Sequence, residues 1–214
     1  MQEQKNIIDC YDKTAKNYAE KFINEFDTKH LDKILLEAFI AENIAKGQLI
    51  DLGCGPGQTT KFLFDNGFTD TIGIDISTEM VSVAKQTNPN LNFQQADILN
   101  LKYQDNSFGS AIAFYSIVHF DYDQVRTALK EIERVLVDKG ELLFTFHIGD
   151  NIVHLDNFLD HQVEIDFHFF EVAKIKNILA ETGLEIVDII VRQPYKEVEY
   201  QSERAYIWTQ KNYR

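Results

Sequence analysis

The stretch that decides the fold runs from Leu49 to Thr60 and reads LIDLGCGPGQTT. Its first half is apolar, as in a buried strand, and glycines follow directly at positions 53, 55 and 57. Glycine allows a sharp turn and lets a ligand come close to the backbone. A dinucleotide-binding loop, G-x-G-x-x-G, would need its last glycine where Gln58 stands. The observed spacing therefore favours a ligand that approaches the backbone closely and carries no pyrophosphate.

Short apolar runs alternate with amphipathic segments on both sides of this loop. The pattern predicts strands at 48–53, 71–76, 91–97, 110–116 and 141–148, and helices at 58–66, 77–87 and 124–139. Ser77 is expected to cap the second of these helices. Asp121 or Asp123 is expected to open the third, and Gly140 to close it. Such alternation indicates a parallel sheet with right-handed crossovers and helices on both faces.

The two ends of the chain differ from this middle part. Residues 7–46 carry helical periodicity up to Gly47. The tail predicts a strand at 163–170, a helix at 171–183 and two strands, 184–193 and 204–211, joined only by a loop. That loop suits a hairpin, so the last strand is predicted to be antiparallel to its neighbour. We therefore predict an α/β fold: one domain (residues 1–214) with a three-layer, doubly wound, Rossmann-like sheet of about seven strands. It divides into N-terminal helices, a ligand-binding core and a substrate-side segment with the C-terminal hairpin, at 1–46, 47–148 and 149–214.

Composition narrows the classes of partner. The formal net charge is −13, and no basic stripe interrupts the mixed charges, so nucleic acid is an unfavourable partner. No apolar run approaches the ~20 residues that span a bilayer, and the polar N-terminus lacks the apolar core of a secretory signal. Only Cys10 and Cys54 are present. We expect a cytoplasmic protein that acts on a small molecule without membrane contact, as a monomer or homodimer.

Two acidic residues follow strands beyond the glycine loop. Asp75 ends the second predicted strand, about twenty residues after the loop, where a carboxylate can accept both ribose hydroxyls. Asp97 ends the third, where it could accept a hydrogen bond from an exocyclic amine such as that of adenine. Ile76 and Ile98 follow the two acids and could enclose a flat base.

Five motifs, in order, resemble those of class I S-adenosylmethionine-dependent methyltransferases: LIDLGCGPG, GIDIS, QADIL, AIAFYSIVHF and ALKEIERVLVDKGELLFTFH. The resemblance covers nearly the whole chain and is greatest to the small-molecule branch that includes ubiquinone- and menaquinone-biosynthesis enzymes. It implies S-adenosylmethionine as cofactor and S-adenosylhomocysteine as product. It also implies a lid in the segment YDKTAKNYAEKF. The implied cofactor residues are Asp51, Gly53, Cys54, Gly55 and Gly57 for the methionine part, Asp75 for the ribose, Asp97 for the adenine amine, Phe114 and Tyr115 for the sulfonium end, and Tyr11 and Tyr18 in the lid.

Two histidines lie where a general base could act on the acceptor. His119 follows the fourth predicted strand and His147 ends the fifth. Either could take a proton near neutral pH. The alternatives are a structural or cofactor-contacting role for His119 and packing beneath a substrate loop for His147.

The segment 149–170 is where relatives build the substrate pocket. If its second half is a strand, Glu164, Asp166 and His168 lie on one side of it and are pocket candidates, with ordinary surface exposure as the alternative. Tyr195 is a further candidate. His147, His154, His161 and His168 recur every seven residues, but they run through a strand, a loop and another strand, so helical spacing does not bring them together and no metal site is expected.

The fourth predicted strand ends in FYSIVHF rather than the [DNS]-P-P-[YFW] motif of relatives that methylate planar amines. A small hydroxyl, amine or thiol acceptor remains, and the sequence does not distinguish these three. Two other functions stay open: a non-catalytic S-adenosylmethionine-binding module, regulatory or partner-binding, and a nicotinamide oxidoreductase, which Gln58 disfavours.

Overall fold

A seven-stranded sheet runs through the part of the chain that the computed structural model describes, residues 2–213. The strands are β1 (Leu49–Leu52), β2 (Thr71–Asp75), β3 (Asn92–Gln95), β4 (Phe108–Phe114), β5 (Leu136–His147), β6 (Ile152–Phe158), β7 (His161–His168), β8 (Leu184–Arg192) and β9 (Arg204–Lys211). The helices are α1 (Gln2–Phe22), α2 (His30–Asn43), α3 (Gln58–Asp65), α4 (Thr78–Thr87), α5 (Tyr122–Val135) and α6 (Val172–Ala180). In this part of the chain, no helix is both long and apolar enough to cross a membrane.

The strand order across the sheet is β3-β2-β1-β4-β5-β9-β8. Strands β1 to β5 are parallel, and β9 is antiparallel to both of its neighbours. The predicted doubly wound sheet with an antiparallel last strand is therefore confirmed. From β1 the chain moves outward to β2 and β3 and then returns to β4 on the other side of β1. This reversal opens a crevice at the carboxyl ends of β1 and β4, where ligands bind in such sheets.

Helices cover both faces of the sheet. On one face, α5 and α6 bury Val125, Leu129 and Ile178 against strand residues such as Ile74 and Phe144. On the other, side chains of α2 and α3 form a second cluster that includes Leu36, Phe39, Leu63, Ile112 and Leu143. These buried apolar contacts provide the main stabilisation of the three layers.

Local hydrogen bonds explain where the helices begin. Ser77 caps α4 by accepting from the Met80 N–H at 3.0 Å, as predicted. Asp121 opens α5 through a capping box with Gln124. The prediction that α5 extends to Lys139 and that Gly140 closes it is wrong. Leu136 already pairs with Phe108 in the sheet, and residues 137–140 form an irregularity in that pairing.

The N-terminal helix and an internal hairpin between β5 and α6 build a cap over the carboxyl edge of the sheet. The helical N-terminal segment is two helices, α1 and α2, separated by a 3-10 turn at Glu25–Asp27. The region 149–158, expected as a loop, contains β6, which pairs with β7 in a separate two-stranded sheet. Cys10 of α1 packs with Val163 and Ile165 of this hairpin in a small core of their own. We call α1 together with the β6–β7 hairpin the cap.

Candidate active site

The glycine loop joins β1 to α3 through residues with positive φ angles. Gly53 has a φ of +70°, and a Cβ there would lie 2.4 Å from the Cβ of Ser116. Gly55 has a φ of +53°, and a Cβ there would make only an ordinary van der Waals contact, 3.9 Å from Cε1 of Tyr18. Gly53 is thus required by close packing, whereas Gly55 provides the turn that exposes the backbone toward the crevice.

Asp75 shapes this loop from the end of β2. Its carboxylate accepts the N–H of Gly55 through one oxygen and the N–H of Ser77 through the other, both at 2.9 Å. Burial raises the pKa of Asp75 to about 6, although the backbone donors from Ser77 and Gly55 oppose this rise. Each carboxylate oxygen retains a free lone-pair direction for a ligand hydroxyl.

Two other acids predicted from the sequence lie on either side of Asp75. Asp51 is buried beneath the loop and accepts the Thr60 hydroxyl at 2.6 Å; burial raises the pKa of Asp51 to about 7. Asp97 accepts the backbone N–H of Leu99 at 2.9 Å and the side-chain amide of Gln4 at 2.6 Å. An amide N–H of α1 therefore occupies the contact that the resemblance gives to an adenine amine.

Two cavities meet at the loop. The first, of about 330 Å³, is lined by Asp75, Ile76, Asp97 and Ile98, so these four predicted residues come together. The second, of about 240 Å³, extends from Asp51, Cys54 and Gly55 to His147 and the cap. The residues that line both cavities are Tyr11, Tyr18, Gly53, Phe114 and Tyr115. A ligand that spans both cavities must pass this junction.

Both ring nitrogens of His119 form hydrogen bonds with residues of the cap, so neither nitrogen is free. Its Nδ1 lies 2.7 Å from the backbone carbonyl oxygen of Asp166, which can only accept, so Nδ1 carries the proton. Its Nε2 therefore accepts the hydroxyl of Tyr11, also at 2.7 Å. Burial lowers the pKa of His119 to about 4, so the ring is neutral at pH 7. A base role would require Tyr11 to move away; the geometry instead matches the alternative of a structural role.

His147 reaches the second cavity directly. Its Nδ1 lies 2.7 Å from the Ser202 hydroxyl, and its ring stacks on Phe169 with centroids 5.1 Å apart. Burial, and next the positive charge of Arg204, lower the pKa of His147 to about 3. The imidazole is therefore neutral at pH 7 and can orient an acceptor through Nε2.

The face of the β6–β7 hairpin that lines the pocket is not the one that the sequence predicted. The alternation of Glu164, Asp166 and His168 is real, but none of the three lines either large cavity. Glu164 and Asp166 surround His154 on the outer face, at 3.3 and 2.6 Å. The inner face is apolar because it packs on α1, and the hairpin residues lining the cavity are Val153, Leu155, Phe158 and Phe167.

Tyr195 is also outside the pocket. Its hydroxyl accepts the backbone N–H of Leu31 at 3.0 Å, and its ring packs beneath Arg192. Among residues 2–213, metal-ligand geometry is limited to His154, Asp156 and Glu164, all exposed on the outer face of the hairpin. The absence of a metal stays a prediction.

Sequence reasoning missed a buried charged wall of the second cavity. Its members are Lys29, Asp32, Glu199 and Arg204. Arg204 donates to the carbonyl oxygens of Ser202 and Tyr200, and its Nε lies 3.2 Å from Glu199 without hydrogen-bond alignment. One signal was available: Arg204 opens a predicted strand and is followed by Ala205, Tyr206 and Ile207, a run typical of a buried strand, and a buried arginine needs a partner.

Comparison with known proteins agrees with this geometry. A family model described as a methyltransferase domain matches residues 50–144. An O-methyltransferase of Pyrenophora dematioidea is 30% identical over 182 residues, which cover 78% of this chain and 66% of that protein. An uncharacterised protein of Methanocaldococcus jannaschii is 33% identical over 145 residues, covering 67% of this chain and 52% of that protein. The chain belongs to the class I S-adenosylmethionine-dependent methyltransferases.

The fold of this chain also matches solved structures. An S-adenosylmethionine-dependent methyltransferase from Clostridium acetobutylicum superposes with a TM-score of 0.72 at 21% identity, covering 95% of this chain and all of that one. The chain spans about half to two thirds of the length of the two sequence relatives above. These comparisons establish the family and the fold, but not the branch within the family.

The site has polar groups that suit the cofactor of this family. Ser116 Oγ and Gln58 Oε1 are buried, line the cavities and have no hydrogen-bond partner among the described residues. Buried polar atoms without partners are costly, so both favour a polar ligand. With the exposed backbone at Gly55 and the carboxylate of Asp75, they form a site with the chemistry that an amino-acid-bearing nucleoside requires.

Proposed function

We propose that this protein transfers the methyl group of S-adenosylmethionine to a small-molecule acceptor. One observation carries the proposal: the two cavities meet at Gly53, Phe114 and Tyr115, beneath Tyr11 and Tyr18. A cofactor with its adenosine in the first cavity and its methionine part in the second has its sulfonium at this junction. The remaining volume of the second cavity then adjoins the methyl group.

The proposed cofactor contacts follow from this placement. Asp75 accepts the ribose hydroxyls through its free lone pairs. Asp97 exchanges the amide of Gln4 for the adenine amine, with Ile76 and Ile98 on either side of the base. Asp51 and the backbone of the glycine loop hold the methionine part. The exchange at Asp97 replaces one contact by another, so the buried carboxylate is not left unpaired.

The cofactor supplies an already activated methyl group on its sulfonium. The protein must align the acceptor with that group and exclude water, which can lower the barrier by roughly 7–11 kcal/mol at best. The cap is suited to this role because Phe158 and Phe167 close the cavity with apolar surface. Tyr11, held by His119, closes it from the helix side.

The acceptor side supports a small molecule rather than a polymer. The cap lines one side of the second cavity and narrows access to it, and the net charge of −13 disfavours nucleic acid. Similarity to a protein named O-methyltransferase supports oxygen as the acceptor atom. Both cysteines are buried and free, which fits a cytoplasmic protein, and we infer a monomer or homodimer.

Calorimetry tests the cofactor proposal. S-adenosylmethionine and S-adenosylhomocysteine should bind with micromolar dissociation constants, roughly −8 kcal/mol, and NAD should not bind comparably. In Asp75→Ala, affinity should fall at least about tenfold, because two hydroxyl contacts to a charged acceptor are lost. Asp65→Ala, an exposed aspartate of α3, is the matched control. Binding of NAD alone, or unchanged affinity in Asp75→Ala, would refute the assignment.

A methyl-transfer assay on a panel of small hydroxyl, amine and thiol compounds tests the activity itself. Labelled methyl groups should appear in at least one class of acceptor. Cofactor binding without transfer to any compound would favour the non-catalytic binding module.

A further inference from the structure

A chain of hydrogen bonds leads from the junction of the cavities into the protein. The Tyr115 hydroxyl lies 3.3 Å from the Tyr206 hydroxyl. The Tyr206 hydroxyl lies 2.5 Å from Oδ1 of Asp32 and 2.9 Å from Nε of Arg192. Four elements contribute, since Tyr115 follows β4, Tyr206 is in β9, Asp32 is in α2 and Arg192 ends β8. These hydrogen bonds therefore connect the transfer site with a carboxylate of a helix that is distant in the sequence.

The direction of each hydrogen bond follows from the donors present. The Tyr206 hydroxyl has one proton, which it gives to the carboxylate of Asp32. It accepts from the Nε–H of Arg192, which cannot accept. Tyr115 must therefore donate to Tyr206. Among residues 2–213 no other donor is recorded at the Tyr115 hydroxyl, so its oxygen can accept a proton from the cavity side.

The backbone at Tyr115 is held in a conformation that directs its side chain into this series of hydrogen bonds. Its φ is +54°, in the strained left-handed region that non-glycine residues seldom adopt. The ring is fixed by His147 on one side, with centroids 5.2 Å apart. Such strain persists when the surroundings impose it, and here it places the hydroxyl on Tyr206.

The charges around the second cavity indicate the class of acceptor. Three cationic side chains form ion pairs with three carboxylates beside this cavity. The cations are Lys29, Arg192 and Arg204, and the carboxylates are Glu25, Asp32 and Glu199. The acceptor-side wall thus has no net charge to pair with an ionised ligand. Burying an unpaired anion there would be costly. A neutral hydroxyl compound fits best, and such an acceptor must lose a proton when it is methylated.

We propose that Asp32 is the terminal proton acceptor of the methyl transfer and that it receives the proton of a neutral hydroxyl acceptor through Tyr115 and Tyr206. This inference rests on the proposed function. The acceptor oxygen bonds to the methyl carbon as the carbon–sulfur bond breaks, and that electron pair stays on sulfur. The acceptor proton passes to Tyr115, the Tyr115 proton to Tyr206, and the Tyr206 proton to Oδ1 of Asp32. The products are a methyl ether, a neutral thioether and a protonated Asp32, which lines the cavity and releases its proton to water when the cap opens.

Two variants separate proton removal from packing. Tyr206→Phe keeps the ring and interrupts the chain, and Asp32→Asn keeps an oxygen that accepts from Tyr206 but cannot take up the proton. Single-turnover transfer is compared for phenol, whose pKa of about 10 keeps it neutral near pH 8, and for a nitrophenol that is ionised there. In both variants the single-turnover rate should fall roughly 10²–10⁴-fold with phenol. With the nitrophenolate the rate should fall less than about threefold. Tyr103→Phe, whose hydroxyl contacts Gln94 outside both cavities, is the control.

The outcomes distinguish the inference from the proposed function. Equal losses with both acceptors would mean that Tyr206 and Asp32 are structural and would overturn the relay. A wild-type protein that binds S-adenosylmethionine and methylates amines or thiols but no phenol or alcohol would overturn the acceptor class alone. A protein that does not bind the cofactor would refute the proposed function.

An infrared titration of the ligand-free protein provides a readout without turnover. The difference between wild type and Asp32→Asn isolates the Asp32 carboxyl, whose pKa burial raises above the ordinary aspartate value. Tyr206→Phe should raise the midpoint further, because the Tyr206 hydrogen bond stabilises the carboxylate. An unchanged midpoint would contradict the hydrogen bond on which the relay depends. The other charged or titratable groups facing Asp32, directly or through its partners, are Glu25, Lys29, Tyr115, Arg192, Glu199 and Arg204.

Discussion

The carboxyl group of Asp51 lies fully buried beneath the glycine loop, where Thr60 donates a hydrogen bond to it. Burial disfavours its charged form, and the neighbouring charge of Asp75 adds to this effect. A binding site often retains such a destabilised group because the ligand compensates it. In the ligand-free protein, Asp51 should therefore reduce stability at neutral pH.

Replacing Asp51 by Asn tests this cost. The pKa of Asp51 is about 7 in the folded protein and 3.8 ordinarily, so the folded state holds its proton more tightly. Stability from this group is complete below about pH 4 and is lost as the pH rises through about 7. Asp51→Asn should remove this loss, gaining at most about 4 kcal/mol at pH 8 relative to pH 4. Urea unfolding at both pH values measures it, with the exposed Asp138→Asn as control; identical pH slopes would contradict the prediction.

The contact between Tyr11 and His119 makes a second residue-scale prediction. If His119 acts by holding Tyr11, then Tyr11→Phe and His119→Ala should each weaken cofactor binding, and the double variant should lose little more than either one. The expected coupling is of order 0.5–3 kcal/mol. Calorimetry of the four proteins measures it. Additive losses of binding free energy would show that the two side chains act independently. His119 would then again be a candidate general base.

At the scale of elements, the cap depends on a few specific contacts. Asp12 of α1 accepts the hydroxyl of Ser77 at 2.6 Å and the N–H of Glu79 at 3.2 Å, at the start of α4. Asn17 donates to the carbonyl oxygen of Leu159 at the hairpin tip, at 3.1 Å. Only Cys10, Thr14 and Ala15 of α1 are buried. A helix with so few buried residues should open more readily than the core.

Hydrogen exchange measures this opening. Amides of residues 7–30 should exchange faster than those of α5 without ligand and should slow when S-adenosylhomocysteine binds. Asp12→Ala should speed exchange in α1 in the free protein, because its anchor on α4 is lost. Asp9→Ala, which removes only an exposed pair with Lys13, should leave it unchanged. Equal protection of α1 with and without ligand would show that α1 is a fixed part of the fold.

At the scale of the whole molecule, the order of the elements was predictable and the faces of the cap were not. Hydrophobic period and glycine spacing indicated the sheet, the loop and the positions of Asp75 and Asp97, because these are local features. The period of two in β7 grouped Glu164 with Asp166 correctly. It could not show which side α1 would cover, since that depends on residues more than a hundred positions away.

Apart from Arg204, the charged wall was unpredictable for the same reason. Asp32 pairs with Arg192 and Tyr206 across 160 and 174 residues of sequence. Nothing near position 32 marks this aspartate as different from other helical acids. Long-range pairs of this kind become visible only once β8, β9 and α2 are placed side by side.

A diffraction structure of the complex with S-adenosylhomocysteine tests the central claim most directly. The account predicts adenine beside Asp97 in the larger cavity, ribose hydroxyls on Asp75, and the homocysteine part over Gly55. The sulfur should lie at the junction between Gly53 and Tyr115, facing the cavity of His147. A ligand whose sulfur lies away from that junction, or whose adenine occupies the cavity beneath the cap hairpin, would contradict it.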